Sequence, residues 1–154
     1  MNIFDKINTI NNIVENTMLK LKVVLLKDKA QSLVELGKAL TNTGCDDYTE
    51  GGFWLWNYNN NEVYYSPKFC NILGYEYDEL GHGFGGFNRG NPIQIAYGMK
   101  VIDNLIKEHN TDHFVNTISF TKKDNTIINI ECSGAVFFID KKPYIILGTH
   151  KIKS

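Results

Sequence analysis

The 154-residue sequence has few cysteines, a single arginine and almost no net charge. Its three cysteines, Cys45, Cys70 and Cys132, are an odd number without metal-ligand spacing, which argues against a disulfide framework and favours a reducing compartment. Arg89 is the only arginine, and 16 basic residues stand against 17 acidic ones, a formal charge of −1. Because the chain has no excess of basic residues and only one arginine to contact phosphate groups, nucleic acid is not an expected partner.

Long hydrophobic runs are missing as well. The longest, residues 23–26 and 135–139, fall far short of the roughly 20 apolar residues in a membrane-spanning helix. The N-terminus mixes polar and apolar residues around Asp5 and Lys6, unlike a signal peptide. We therefore expect a cytoplasmic protein with no membrane contact. Hydrophobic residues make up 43% of the chain, which is enough to build a core.

Residues 1–45 are predicted to be an N-terminal helical segment, with helix over residues 2–41 that is either continuous or broken near residues 27–29. Apolar residues recur there at intervals of three and four, with a phase shift at residues 27–29, and form two stripes: Ile3, Ile7, Ile10, Val14, Leu21 and Val24, then Leu26, Leu33, Leu36 and Leu40. These stripes could pack on the protein's own domain or on a second copy. Because so long a helix outruns the face of a small domain, we favour a homodimer contact.

Residues 45–50 are predicted to be a polar linker, and the chain changes to β-structure at Gly51. An aromatic hairpin comes first, then a short helix capped at Ser66, a mobile glycine-rich connector over 81–90 and a helix opened by Asn91. Strands with alternating apolar residues follow over 114–121, 126–138 and 144–152. The order predicts an α+β fold, with a five-stranded antiparallel sheet and helices on one face, preceded by the N-terminal helical segment.

Several short motifs within residues 51–152 resemble those of PAS domains that have a PAC-type C-terminal half. In chain order they are GFWLWN (52–57), YSPKFCNILGY (65–75), EL (79–80), NP (91–92), KDN (123–125) and GTHKI (148–152). Lys151 stands where the family has a closing aspartate, and the acidic residue that often follows the Asn-Pro position is missing. The resemblance implies a PAS domain over residues 46–154. It is expected to stand alone, since the chain ends two residues after Ile152.

The resemblance also implies a ligand position, between the long helix and the inner face of the sheet. Carried onto this sequence, the wall of the pocket is Trp54, Trp56, Phe69, Tyr97, Ile102, Asn116, Ile118, Ile130, Cys132 and Tyr144. Most of these side chains would fill the core of a small domain even without a ligand. Asn116 differs, because an amide on the inward phase of a strand needs a partner, either a backbone group or a ligand.

No cofactor is assigned from the sequence. Haem requires an axial ligand, and the candidates are the four histidines His82, His109, His113 and His150. His109 is nearest to the helix that ligates haem in some relatives, but a solvated histidine at a helix C-terminus is the simpler interpretation. Flavin is less favoured still, since light-sensing relatives carry a reactive cysteine where this chain has GFGGF (83–87).

An enzyme is not expected. The sequence has no Ser-His-Asp arrangement, no paired carboxylates and no metal-ligand spacing. The prediction is a sensory or ligand-binding domain that signals through dimerisation or through contact with a signalling protein in trans. Two alternatives stay open: a protein interaction module with an occluded core and no ligand, and, less favoured, a haem-binding gas or redox sensor.

Overall fold

The computed structural model describes residues 13–27 and 32–153. Its helices are α1 (Ile13–Lys27), α2 (Leu33–Asn42), α3 (Cys45–Tyr48), α4 (Pro67–Ile72) and α5 (Pro92–Lys107), with a 3-10 turn at Phe87–Arg89. Its strands are β1 (Phe53–Asn57), β2 (Glu62–Tyr65), β3 (Phe114–Thr121), β4 (Ile127–Ile139) and β5 (Lys142–Lys153). They form one antiparallel sheet in the order β2-β1-β5-β4-β3, which confirms the predicted α+β fold. None of the helices in these ranges is long and apolar enough to cross a membrane.

The two helices that follow the hairpin begin where the sequence provides caps. At the start of α4, the hydroxyl oxygen of Ser66 accepts a hydrogen bond from the backbone N–H of Phe69. At the start of α5, the side-chain oxygen of Asn91 accepts from the N–H groups of Ile93 and Gln94. Such caps satisfy backbone donors that have no partner inside the helix. Both helices therefore start where the sequence predicts.

Helices α4 and α5 and the 3-10 turn cover one face of the sheet, which we call the inner face. Trp54 and Trp56 both point to this face and are each 5% exposed, as their shared strand phase predicts. The core on this side is rich in aromatic rings and includes Trp54, Trp56, Tyr65, Phe69, Phe87, Phe114, Phe120, Ile118, Ile130 and Ile146.

Helices α1 and α2 cover the opposite face, which we call the outer face. The core on this side is mainly aliphatic and includes Leu21, Val24, Leu33, Leu36, Leu40, Phe53, Leu55, Tyr64, Ile145 and Leu147. Helix α2 lies very close to β2, because a Cβ on Gly37 would lie 2.3 Å from the ring of Tyr64. The hydroxyls of Thr41 and Tyr64 are also 2.9 Å apart and share a hydrogen bond.

The N-terminal segment is divided into two helices, one of the two alternatives that the phase shift at residues 27–29 leaves open. Helix α1 ends at Lys27, and α2 starts after Ser32, whose side chain accepts a hydrogen bond from the N–H of Glu35. Division into two helices lets both halves reach the same sheet face, which a single straight helix could not do. The buried part of the apolar stripes packs on the protein's own sheet, while positions 2–12 and 28–31 lie outside the described residues. Dimerisation through this segment stays a prediction.

The prediction of a polar linker over residues 45–50 is wrong. Residues 45–48 form α3, and Cys45 is fully buried in the outer-face core. The Lys68 ammonium donates to the backbone carbonyls of Asp46 and Thr49, at 2.7 Å each, and the Asp46 carboxylate accepts from the Lys68 N–H at 3.1 Å. Burial raises the pKa of Asp46 above its usual value, against the opposing effects of hydrogen bonds with the Ser66 side chain and the Lys68 N–H and of the Lys68 charge. Hydrogen bonds of these polar groups therefore hold the segment in place, whereas the sequence pattern predicts that the same groups are exposed to solvent.

Candidate ligand site

A small cavity lies between α5 and the inner face of the sheet. Its volume is about 40 Å³, which is room for about three water-sized groups. The lining is almost entirely apolar and consists of Trp54, Trp56, Phe87, Ile95, Gly98, Met99, Ile102, Phe114, Asn116, Ile118, Phe120 and Cys132. An apolar lining of this kind favours small, weakly polar occupants.

The two tryptophans of β1 form one wall of the cavity. The ring of Trp54 packs edge-on against Phe87, with centroids 5.0 Å apart, and Trp56 packs edge-on against Phe84 at 5.6 Å. The indole N–H of Trp56 donates to the side-chain oxygen of Asn61 at 3.1 Å. These contacts fix both rings and pair the Trp56 N–H with a residue of the hairpin turn that does not line the cavity.

Asn116 brings an amide to this apolar lining. Its Nδ2 donates to the backbone carbonyl of Gln94 in α5, at 3.1 Å. Gly98 leaves the space for this contact, since a Cβ at that position would lie 2.9 Å from the same nitrogen. The sequence leaves a backbone group or a ligand as the partner of the Asn116 amide, and in the structure a backbone carbonyl is its partner. Asn116 therefore connects β3 to α5 at the wall of the cavity.

Gln94 completes this connection on the edge of the sheet. Its Oε1 accepts a hydrogen bond from the backbone N–H of Ser119 at 2.7 Å, and the N–H of Asn91 donates to the Ser119 carbonyl at 2.8 Å. Because β3 is an edge strand, these two groups have no neighbouring strand on that side. We call the three residues Gln94, Asn116 and Ser119 the α5–β3 clamp.

The cysteines near this core are not reactive. Burial raises the pKa of the Cys132 thiol to about 12, although a hydrogen bond with Trp54 acts in the opposite direction. Burial likewise raises the pKa of Cys70 to about 11. Both thiols are protonated at neutral pH, so neither offers the thiolate that nucleophilic or redox chemistry uses. In the ranges that the structure describes, no cluster of three or more His, Cys, Asp or Glu side chains could hold a metal ion.

Solved structures with the same architecture identify the fold. The PAS domain of a protein from Colwellia psychrerythraea superimposes with a TM-score of 0.58 and 12% sequence identity, over 73% of this chain and 94% of that chain. The chain has the PAS fold. The resemblance carried by the short motifs is therefore confirmed at the level of architecture.

Other PAS structures match over a similar part of the chain. A sensory box histidine kinase/response regulator from Burkholderia thailandensis E264 gives a TM-score of 0.54 and 22% identity, over 66% of this chain and 75% of that one. Cycle PAS-B from Drosophila melanogaster, with bound ethylene glycol, gives a TM-score of 0.54 and 11% sequence identity, over 66% of this chain and 99% of that chain. No protein-family model and no curated protein matches the sequence.

Six of the residues predicted to form the PAS ligand wall do line the cavity: Trp54, Trp56, Ile102, Asn116, Ile118 and Cys132. Phe69 and Ile130 are fully buried in the same inner-face core but do not reach the cavity. Phe69 packs against the rings of Tyr65 and Phe120 instead. Binding of a ligand by any of these residues stays a prediction.

Two predicted wall residues lie elsewhere in the PAS fold. Tyr97 is 60% exposed, because two residues along an α-helix correspond to about 200° of rotation away from the inward-facing Ile95. Tyr144 packs with the outer-face core. The register between β4 and β5 shifts at Phe137 and Phe138, and such a bulge interrupts the alternation that places Ile146 on the inner face.

Phe87 is a cavity residue that sequence reasoning missed, because it lies in the glycine-rich stretch predicted to be a connector. The hydroxyl of Tyr65 donates to the carbonyl of Gly83 at 2.7 Å and accepts from the Phe87 N–H at 3.3 Å. Gly86 allows this approach, since a Cβ there would lie 2.5 Å from the Tyr65 ring. The phenylalanines at 84 and 87, three residues apart, were the available signal.

The structure does not support haem or flavin in the PAS cavity. None of the four histidines, all of which are described, lines it. His82 pairs with Asp78, His113 pairs with Glu15, and His109 ends α5 with a left-handed backbone. His150 is buried, with its ring 4.5 Å from that of Phe69. A volume of about 40 Å³ is also far below the roughly 300–1,000 Å³ of pockets for larger ligands.

Proposed function

We propose that this chain is a sensory PAS domain that binds a small, mostly apolar molecule in the inner-face cavity and signals through a second copy or a protein partner. The observation that supports binding is the cavity itself, whose lining is apolar except for the Asn116 amide, the Cys132 thiol and the indole N–H groups of Trp54 and Trp56. Two of the similar structures are a sensory box histidine kinase/response regulator and a PAS domain with bound ethylene glycol. Ethylene glycol, with four non-hydrogen atoms, slightly exceeds the space for about three water-sized groups and marks the upper limit for the size of an occupant.

The small size of the cavity also limits the expected affinity for a ligand. Even the best very small ligands gain no more than about 1.5 kcal/mol per non-hydrogen atom. A ligand that fills room for about three water-sized groups therefore gains at most about 4.5 kcal/mol, so its Kd is expected to be in the millimolar range. Sensing at such concentrations suits an abundant metabolite or a dissolved small molecule. We further propose that the protein is cytoplasmic, which its three free, buried cysteines support.

The test is a titration of ethylene glycol followed by NMR of the methyl groups of Met99, Ile102 and Ile118, preceded by mass and absorption spectra of the native protein. We expect shifts confined to these methyls. Ile95→Phe should abolish them, because Ile95 lines the cavity, whereas Ile93→Phe is a matched control at an 81% exposed position of the same helix. Shifts that persist in Ile95→Phe, or that are spread over the surface, would contradict the proposal.

We also propose that homodimerisation occurs through the N-terminal segment. Leu19 and Val23 support it, since they lie one turn apart on α1 and are 57% and 53% exposed. Light scattering at micromolar concentration should give a dimer for the full chain. A variant with Leu19→Glu and Val23→Glu should be a monomer of unchanged stability, whereas Asn16→Glu, at an exposed polar position, should stay dimeric. A monomeric full chain would contradict this part.

An interaction module without a ligand is a second candidate. Val115 and Ile127 are 61% and 69% exposed at opposite ends of the β3–β4 pair, and each offers an apolar contact to a partner that lies along this edge of the sheet. A protein partner that binds there would be lost in Val115→Lys and Ile127→Lys variants. If ethylene glycol shifts none of the NMR signals of the cavity methyls, and the two lysine variants no longer bind the partner, the interaction module is favoured over the ligand-binding domain.

A further inference from the structure

A second space lies on the outer face of the sheet, beside the first turn of α1. It is a cleft of about 480 Å³, which is within the range of roughly 300–1,000 Å³ for pockets that hold organic ligands. The inner-face cavity has only about 40 Å³. The outer-face cleft therefore has room for molecules that the inner-face cavity excludes.

Three adjacent strands form the floor of the outer-face cleft. The sheet register places Val115 of β3, Ser133 of β4 and Thr149 of β5 side by side in one row. The next row contains Glu131 and Lys151, which are direct neighbours on β4 and β5. The floor is thus apolar at its β3 side and carries two opposite charges toward β5.

Helix α1 forms the wall of the cleft through Ile13 and Val14. Glu15 attaches this end of the helix to β3, since its Oε1 lies 2.6 Å from Nε2 of His113. Val115 continues the apolar surface of the wall onto the floor and is 61% exposed. An apolar group in the cleft would therefore remove hydrophobic surface from water.

Both charged side chains of the floor have free capacity for a ligand. Lys151 forms no ion pair with any other residue that the structure describes. Glu131 contacts the Lys153 ammonium through Oε2, at 3.0 Å, and a carboxylate accepts at both of its oxygens. Glu50, which also lines the cleft, already accepts a hydrogen bond from the Ile152 N–H at 3.1 Å. Glu131 and Lys151 are therefore the pair that a ligand with both charges would meet.

We propose that the outer-face cleft binds a small zwitterion with an apolar body, a free amino acid or a short peptide. Its ammonium group pairs with Glu131 and its carboxylate with Lys151. Its apolar side chains cover Val14 and Val115. Facing residues of an antiparallel pair have Cβ atoms about 5 Å apart, so one small molecule reaches both charges. The inference goes beyond the proposed function, because it concerns a separate site on the opposite face of the sheet.

Matched dipeptides test the two charges separately. Leucyl-leucine is titrated into the full chain beside N-acetyl-leucyl-leucine, which lacks the ammonium group, and leucyl-leucine amide, which lacks the carboxylate. The methyl NMR signals of Val14 and Val115 report binding. We expect leucyl-leucine to shift both signals and each blocked dipeptide to bind about fivefold more weakly, the upper end for an ion pair at a protein surface. Free leucine is titrated as well, and the tighter of the two zwitterions assigns the site to amino acids or to short peptides.

Single substitutions connect each charge of the ligand to one residue. Glu131→Gln should weaken leucyl-leucine binding about fivefold but should not weaken binding of the N-acetyl dipeptide, which has no ammonium group. Lys151→Gln should weaken leucyl-leucine to a similar extent and should not weaken binding of the amide. Lys153→Gln is the matched control, because Lys153 has the same charge on the same strand but does not line the cleft. It should bind leucyl-leucine at least as tightly as the wild type.

The blocked dipeptides also show that each variant is folded, since they should still shift the Val14 and Val115 signals. Equal affinity for leucyl-leucine and both blocked dipeptides would overturn the inference, as would an equal loss in Lys151→Gln and Lys153→Gln. The absence of any shift at Val14 and Val115 would overturn it too. None of these results bears on the proposed function, whose reporter methyls lie in the inner-face cavity.

Discussion

The two faces of the sheet are packed in different ways. The inner face uses rigid aromatic rings that meet edge-on, such as Trp54 against Phe87, and leaves a cavity between them. The outer face uses leucines from α1 and α2, and α2 approaches β2 closely enough for Gly37 to contact the Tyr64 ring. Flexible aliphatic side chains fill gaps that rings leave open. The two faces thus differ in the spaces that they leave: the inner-face cavity is small and apolar, whereas the outer face has a larger and more polar cleft beside α1, with Val14, His113 and Glu131 in its lining.

The largest expected effect is on the inner face. Trp54→Ala or Trp56→Ala removes a ring that is 5% exposed, and we expect a loss of about 3–5 kcal/mol in the free energy of unfolding. Urea denaturation followed by circular dichroism measures it. Thr117→Ala, on the exposed side of β3, is the control and should change stability little. Wild-type stability in both tryptophan variants would mean that the rings are not buried.

The outer face provides the next comparison. Leu40→Ala removes a fully buried side chain of α2, so a loss of about 2–4 kcal/mol is expected. Leu19→Ala on α1, where the side chain is 57% exposed, should cost less than about 0.5 kcal/mol. The measurement is again urea unfolding, with a single transition expected. A separate early transition in Leu40→Ala would show that the N-terminal helices unfold independently of the sheet.

A pH effect is expected from His150. Burial lowers its pKa from 6.5 to about 4, because the buried ring is costly to charge. Between these two values the unfolded chain binds a proton that the folded chain does not. Stability should therefore fall as the pH drops through this window, by roughly 3 kcal/mol in total.

Urea unfolding at pH 7, 5 and 4 measures this loss. His150→Gln should remove this part of the pH dependence, while His82→Gln, at a partly exposed position paired with Asp78, should retain it. The same slope in the His150 variant and in the wild type would assign the effect to other groups.

The smallest expected effect concerns the α5–β3 clamp. Asn116→Leu loses the hydrogen bond to Gln94 but leaves that carbonyl its helical partner, so a loss of about 1 kcal/mol is expected. Thermal melting beside Thr117→Leu measures it. A loss above about 3 kcal/mol would show that the amide is needed for α5 to pack on the sheet at all.

The parts of the site that depend on local periodicity could be predicted from the sequence. Strand alternation places Trp54, Trp56 and Asn116 on the inner face, and helical spacing places Met99 and Ile102 toward the cavity. Each of these assignments needs only the neighbouring residues along one element. The α+β order follows in the same way, because caps and turns mark where the elements begin and end.

The remaining features depend on contacts between distant segments. The bulge that turns Tyr144 to the outer face exists only in the pairing of β4 with β5. The packing of α1 and α2 on the outer face is indicated by one feature of the sequence. Residues 53–56 of β1 are apolar at every position and all buried, and such a run predicts helices on both faces of a sheet.

Lys68 has a mechanical consequence. Its ammonium connects the carbonyls of Asp46 and Thr49 in and after α3 to the first turn of α4, and the Asp46 carboxylate returns to the Lys68 backbone. A force on the N-terminal helices is therefore transmitted to α4 through the hydrogen bonds of the Lys68 and Asp46 side chains. It is also transmitted to β1 along the backbone. A displacement of α1 and α2 has a direct route to the helix that supplies Phe69 and Cys70 to the inner-face core, without passing through the sheet.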